Sequence, residues 1–264
     1  MLLLGAAYGI LEEGIALSTL YNPLAGPVGK LGYYGHFLGV SWIWVSSILP
    51  VHMIFSISLP ILLLGLALPE TANKSLIVSA RRIVMLFVIL GVDVLSLFLL
   101  VLREEHFWMG LPVFVGSFSA ICVLLLLARN IPRDFASPLS DLPKARPLVV
   151  AIIGVLFYFS VLLIELGVGP RIPAVADLIL VVLVETIFLI CTLAATGRQN
   201  NSRQLIALAA GLVIPIAFIG VISEARFPLI LVVDLAFGIF MWKLWRMYGS
   251  QVNFSDLRSA GRIT

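Results

Sequence analysis

Four titratable residues stand inside long apolar stretches of this sequence, where charged side chains are rare. Glu12 and Glu13 are adjacent in the first stretch, His52 lies in the second, and Asp93 lies in the third. Each would cost about 2.5 to 3.5 kcal/mol at the centre of a membrane helix, so each is expected to face the bundle interior, a partner or water. Carboxylates and imidazoles are frequent proton-transfer groups. We therefore predict that these four residues form a buried proton relay or a hydrolytic site.

The depth of the titratable residues within their stretches separates two groups. At about 1.5 Å per residue, the deeper group lies roughly 15 to 18 Å from an end of its helix. Its members are Glu13, His52, Asp93 and Glu185. The other group lies near the predicted outer ends, where we expect water to reach it; its members are Glu165, Asp177 and Asp234. Glu185 is therefore included as a candidate binding residue, and the alternative for the deeper group is pairing that serves assembly alone.

The second apolar stretch carries further polar groups around His52. Pro50 cannot donate a hydrogen bond to the carbonyl of Ser46, and Pro60 leaves the carbonyl of Ser56 free in the same way. The stretch is therefore predicted to kink on either side of His52. Freed carbonyls and hydroxyls beside an imidazole favour a proton or cation site, with Ser56 as a candidate binding residue. The alternative is that these residues only shape helix packing.

The apolar stretches are each predicted to form a transmembrane helix, since a bilayer core is about 30 Å thick. Eight are predicted, at residues 2–18, 40–68, 83–102, 109–128, 147–168, 174–196, 204–223 and 229–248. The connections between them are too short to build a core of their own. We therefore predict an all-α fold, a polytopic membrane helix bundle in which residues 1–264 form a single integral membrane domain.

Lys and Arg alternate between the connections of these eight stretches. Thirteen of the 17 follow the even-numbered stretches or lie at the end of the eighth: Lys74, Arg81, Arg82, Arg129, Arg133, Lys144, Arg146, Arg198, Arg203, Lys243, Arg246, Arg258 and Arg262. The other connections hold four: Lys30, Arg103, Arg171 and Arg226. Because cytoplasmic loops carry the excess of Lys and Arg, this pattern predicts a multi-pass protein of the cell membrane with both termini in the cytoplasm.

The composition indicates that lipid is the main solvent of the chain. Hydrophobic residues make up 61% of it, charged residues make up 12%, and the mean hydropathy is +1.12. So few charges cannot cover a water-soluble globule of this length. The net charge of +3 is then explained by basic loops at anionic lipid headgroups and not by nucleic-acid binding. Membrane lipids are the predicted partners, with other membrane subunits as a further option.

Signals for a metal or a cofactor are weak in this sequence. One histidine with several carboxylates can bind a divalent ion, but there is no HExxH motif and no paired-His spacing. Cys122 and Cys191 lie in separate stretches without Cys or His neighbours. Neither a metal nor a cofactor is predicted.

The order and spacing of the four site residues resemble those of the CPBP intramembrane proteases, which include the prenyl-protein CAAX processing enzymes. That family carries EExxxR, then FxxxH, then HxxxN or HxxxD. Over roughly residues 8–95, this chain matches the pattern at Glu12, Glu13, His52 and Asp93. It departs from the Arg, the aromatic residue and the second histidine at Leu17, Ile48 and Ile89. The resemblance implies an intramembrane hydrolase in which the Glu pair and histidine activate water.

Three functional classes fit these patterns. Proton- or cation-coupled transport of a small solute accounts for the acids at matched depth, and we favour it. A degenerate CPBP-like hydrolase accounts for the spacing of Glu-Glu, His and Asp. A noncatalytic subunit of a membrane complex accounts for the incomplete motifs, with the Gly-, Pro- and aromatic-rich loop at 21–39 as its docking surface. That loop also holds His36, a candidate second histidine that precedes His52 in the chain.

Overall fold

The computed structural model describes residues 1–69, 79–132, 145–196, 202–223 and 228–260. Their α-helices are α1 Leu2–Gly9, α2 Trp42–Val51, α3 Leu59–Ala67, α4 Ala80–Glu104, α5 Leu111–Asn130, α6 Pro147–Leu163, α7 Ala174–Thr196, α8 Ser202–Ser223 and α9 Pro228–Ala260. Three π-helical segments accompany them: Ile10–Ala16 continues α1, His52–Ser58 joins α2 to α3, and Ile164–Val168 continues α6. The predicted all-α fold is confirmed.

Several helices have the length and composition of membrane spans. Five helical stretches of the described chain meet both criteria: Trp42–Ala67, Ala80–Glu104, Leu111–Asn130, Ala174–Ala195 and Ser202–Val221. The helix Pro147–Leu163 is apolar but shorter. The chain is therefore a multi-pass membrane helix bundle. The count of eight spans, the single domain and the cytoplasmic termini stay predictions.

Three of the differences from the predicted boundaries stand out. The first helix ends before residue 18, because Ser18 adopts a left-handed backbone conformation with a φ of 56°. The second begins at Trp42, because Val40–Ser41 (β2) pairs with His36–Phe37 (β1) in a two-stranded antiparallel hairpin. The last helix continues past residue 248 to Ala260, through a polar sequence that contains no proline.

The π-helical segments have local causes in the sequence and the backbone. His52–Ser58 lies between Pro50 and Pro60, which both lack the N–H that an α-helix needs. In the first helix, the N–H of Leu17 donates to the carbonyl of Glu12 at 2.8 Å, one residue further back than in an α-helix. The predicted disturbance around His52 therefore takes the form of a π-helix, a feature that is frequent at functional sites.

The chain divides into two compact units: Met1–Arg133 with Leu163–Leu183, and Asp134–Leu162 with Val184–Thr264. In the first unit, α1 packs against α5 and the segment His52–Ser58, and Ile10–Ala16 packs against α4 and α5. Gly5 permits this packing, because a Cβ there would collide with the backbone of Met53. In the second unit, α8 packs against α9. The first unit therefore holds Glu12, Glu13, His52 and Asp93.

The loop at 21–39 is held to the first unit by side chains. The hydroxyl of Tyr21 lies 2.6 Å from Ser117 Oγ on α5. Asn22 Nδ2 donates to Glu105 Oε2 at 2.7 Å, just after α4. Burial raises the pKa of Tyr21 above its usual value of 10.0. This loop is therefore packed against the helices that surround the candidate site.

Candidate functional site

The two π-helical segments of the first unit bring Glu12, Glu13 and His52 together. Glu13 Oε1 lies 3.2 Å from His52 Nε2, and Glu12 Oε2 lies 3.4 Å from His52 Nδ1. Ser56 Oγ lies 3.0 Å from the same Nδ1. The imidazole is thus placed between two carboxylates, one at each ring nitrogen. The proximity expected from matched depth is observed for Glu13 and His52.

The cluster of Glu12, Glu13 and His52 is largely shielded from its surroundings. The side chains of His52 and Glu13 are 8% and 10% exposed, and that of Glu12 is 29% exposed. Tyr8 places its ring edge-on to the imidazole, with 5.6 Å between the ring centres, and its hydroxyl lies near Glu12. Charges attract more strongly in such surroundings than in water. The cluster therefore keeps its titratable groups facing one another instead of lipid.

A chain of hydrogen bonds leads from Glu13 to the end of the first helix. Thr19 Oγ1 lies within hydrogen-bond distance of the Glu13 carboxylate and 3.2 Å from the Glu13 carbonyl oxygen. Trp44 Nε1 donates to Thr19 Oγ1 at 3.2 Å. The left-handed conformation of Ser18 reverses the backbone, so that Thr19 faces back towards Glu13. Glu13 thus has His52 at one carboxylate oxygen and Thr19 at the other.

A small cavity lies between the first helix and α4. Tyr8, Glu12 and Asp93 supply its polar lining, and it has about 10 Å³ of space for the centre of a water molecule. That volume suits about one water. Asp93 is exposed on α4, whereas Glu13 and His52 are buried. Asp93 therefore shares a water-sized cavity with Glu12 at the edge of the cluster.

The remaining predicted residues have different surroundings. Ser56 contacts the imidazole, as described above. His36 Nδ1 lies 3.0 Å from Ser41 Oγ across the β-hairpin, and Ser41 Oγ donates to the carbonyl of Gly32 at 3.0 Å. His36 therefore stabilises the loop instead of joining the cluster. Glu185 lies on α7 within the second unit, so its participation in the site stays a prediction.

The prediction that water reaches Asp177 is wrong. Asp177 is fully buried in the first turn of α7, beside the hydroxyl of Tyr34. That hydroxyl donates to the carbonyl of Ile172 at 2.7 Å, which holds the loop over this end of α7. Burial and the nearby Asp177 carboxylate raise the pKa of Tyr34 above its usual value of 10.0. Depth along a helix does not show such burial, because the covering residue comes from a distant loop.

Sequence reasoning missed three residues of the site, namely Tyr8, Thr19 and Trp44. Aromatic and hydroxyl side chains are common in membrane helices, so their types alone carry little signal. The spacing Gly5-x-x-x-Gly9 is the signal that indicates the packing, since small residues one turn apart let another helix approach closely. A Cβ at Gly9 would lie only 3.1 Å from His52 Cβ. This pair of glycines therefore marks the face of α1 on which the His52 segment packs.

Within the described part of the chain, no group of three or more His, Cys, Asp or Glu side chains is arranged to hold a metal ion. Comparison with known protein families, curated proteins and solved structures finds no match for this sequence. The function therefore has to be inferred from the chemistry of the cluster.

Proposed function

We propose that this protein is a proton-coupled transporter of a small solute in the cell membrane, with the Glu12–His52–Glu13 cluster as its proton relay. The observation that carries the proposal is the position of His52, whose two ring nitrogens face different carboxylates at 3.2 and 3.4 Å. An imidazole can accept a proton at one nitrogen and release one from the other. Buried titratable groups of this kind mark proton relays in membrane transporters.

The relay moves one proton in two transfers. Protonated Glu12 donates to Nδ1 of a neutral imidazole whose Nε2 already carries a proton, which makes His52 an imidazolium between two carboxylates. The imidazolium then releases the Nε2 proton to Glu13 and becomes neutral again. The total charge of the three groups is unchanged, so the relay never gathers extra charge inside the membrane. In a low dielectric the charged and neutral forms of such a pair lie close in energy, and a modest change in hydration can move the proton.

Protons reach the relay from the side of Glu12. The cavity shared by Glu12 and Asp93 has room for about one water. Asp93 lines the same cavity and can pass a proton through that water to Glu12. A solute whose binding changes the hydration of this cavity would shift the proton along the relay. Solute flux and proton flux would then be coupled, because the solute binds one protonation state of the relay better than the other.

Proteoliposomes with a pH-sensitive dye in their lumen test the proposal. When amino acids, carboxylates, sugars or alkali cations are added outside, at least one is expected to change the luminal pH. Glu13→Gln and His52→Gln should abolish this change, because neither amide can relay a proton. Glu104→Gln is the matched control, since Glu104 is exposed and pairs with Arg103 at 3.4 Å. Solute uptake without a pH change, or a pH change that survives both substitutions in folded protein, would contradict the proposal.

An intramembrane hydrolase is the second candidate, favoured by the water-sized cavity beside Glu12 and by the resemblance to CPBP proteases. In that reaction a carboxylate takes a proton from water, and the water oxygen bonds to the scissile carbonyl carbon. The C–N bond breaks as His52 passes a proton to the leaving amine, and the carboxylate returns to His52 the proton that it took from water, so that a carboxylic acid and an amine are released. Incubation with a series of membrane peptides distinguishes the candidates. Hydrolysis creates a new amino terminus that mass spectrometry detects, whereas transport leaves the solute intact.

A further inference from the structure

We propose that the second unit binds an anionic phospholipid in a groove between α6, α8 and α9. The groove offers about 690 Å³ and opens to the surroundings of the protein. This volume falls within the range of about 300 to 1,000 Å³ that ligand sites commonly have. Ala151, Ala207 and Ala210 line it, and their small side chains leave the space between the helices. The groove is therefore formed by helix side chains of the membrane bundle.

Two guanidinium groups border this groove. Arg146 directly precedes α6, and Arg203 lies in the first turn of α8. Both belong to connections that the Lys and Arg pattern predicts to be cytoplasmic. Among the described residues that line the groove, none is acidic. A phosphate group complements this arrangement, because the fork of Arg donors matches phosphate oxygens.

Two indole rings on α9 form a wall of the groove. Trp242 is 56% exposed and Trp245 is 39% exposed. The guanidinium of Arg203 lies 5.8 Å from the ring centre of Trp245, which orients the cation beside the groove. Trp side chains favour the headgroup level of a membrane, where the hydrocarbon core begins. The Arg groups and the indoles therefore suit a molecule with a charged headgroup and an apolar tail.

A phospholipid fits the whole groove, whereas a free anion would use its charges alone. Leu148, Ile206 and Met241 provide an apolar lining along which an acyl chain can lie. Basic pockets between transmembrane helices on the cytoplasmic side are typical sites for anionic headgroups. We therefore assign the phosphate to Arg146 and Arg203, and an acyl chain to the apolar lining.

Native mass spectrometry of the full-length chain in detergent tests this assignment. The protein would be exposed to phosphatidylglycerol and phosphatidylcholine with identical acyl chains, in equal amounts. Wild-type protein should retain one phosphatidylglycerol in preference to phosphatidylcholine. Arg146→Gln and Arg203→Gln should each reduce the preference about fivefold, the effect expected for one cation at a headgroup. Arg129→Gln, at the end of α5 in the first unit, should leave the preference unchanged.

Further variants separate the headgroup from the acyl chain. Ala210→Phe fills the groove while both cations remain, so it should reduce the retention of both lipids. Arg203→Lys keeps the charge but loses the fork of donors, so it should reduce the preference less than Arg203→Gln does, which shows that the site is still folded. Equal retention of the two lipids by wild-type protein would overturn the proposal. So would a preference that survives both Gln variants, lipid retention unchanged by Ala210→Phe, or displacement of the lipid by inorganic phosphate.

Discussion

The polar cluster and the loop at 21–39 both place polar side chains in the first unit, but they satisfy them in different ways. In the cluster, titratable side chains face one another, with His52 between Glu12 and Glu13. In the loop, the Tyr34 hydroxyl donates to the backbone carbonyl of Ile172. A backbone carbonyl keeps its charge state, whereas a carboxylate or an imidazole can change it. The cluster is therefore suited to move protons, and the loop is suited to cover the helices.

Replacement of His52 tests this contrast most strongly. His52→Ala leaves Glu12 and Glu13 without the imidazole, and loss of one partner from a buried charged group costs about 3 kcal/mol or more. We expect a clear drop in the thermal unfolding temperature of the protein in detergent. His36→Ala is the matched control, because it removes one hydrogen bond to Ser41 and should cost about 1 kcal/mol. Equal drops in the unfolding temperature of the two variants would show that the cluster contributes no more to stability than the hydrogen bond in the loop.

Gly5→Leu tests whether close helix packing assembles the cluster. The new side chain would collide with the backbone of Met53, next to His52, and overpacking of this kind costs about 1 to 3 kcal/mol. The unfolding temperature should fall, and any proton flux should fall with it. Gly116→Leu is the control, since no heavy atom lies within 4 Å of a Cβ built there. If both variants behave alike, the approach of α1 to His52–Ser58 does not determine the site.

Tyr34→Phe examines the loop and should have the smallest effect. It removes the hydroxyl that donates to the carbonyls of Gly169 and Ile172, at a cost of about 1 kcal/mol. The pKa of Tyr34 is raised in the folded protein above 10.0. Its bound proton therefore stabilises the fold below pH 10, and this stabilisation is lost as the pH rises through the folded pKa.

Unfolding in urea from about pH 8 to pH 11 measures this alkaline loss of stability. The free energy of unfolding should fall more steeply with pH in wild-type protein than in Tyr34→Phe. Tyr21 also has a raised pKa, but it is present in both proteins and contributes to both slopes. Identical slopes would mean that Tyr34 is not protonated preferentially in the folded state.

The helix limits that could be predicted are those with local signals. The stretch predicted at 174–196 is observed as Ala174–Thr196, with Pro173 before it and Gly197 after it in the sequence. The end of the first helix was harder to predict, because Ser18 takes a left-handed conformation that few residues other than glycine adopt. Contacts of Thr19 with Glu13 accompany this turn. A boundary that depends on such contacts has no signal in the local sequence.

Depth in the helix is what the sequence by itself determined about the site, because each residue advances a helix by about 1.5 Å whatever surrounds it. The direction in which each side chain points around the helix axis was decided by the tertiary structure. Glu13 and Asp93 were predicted at matched depth, yet Glu13 is buried against His52 and Asp93 is exposed on α4. The direction of each side chain depends on the extra residue in a π-helical turn and on which neighbouring helix packs against it.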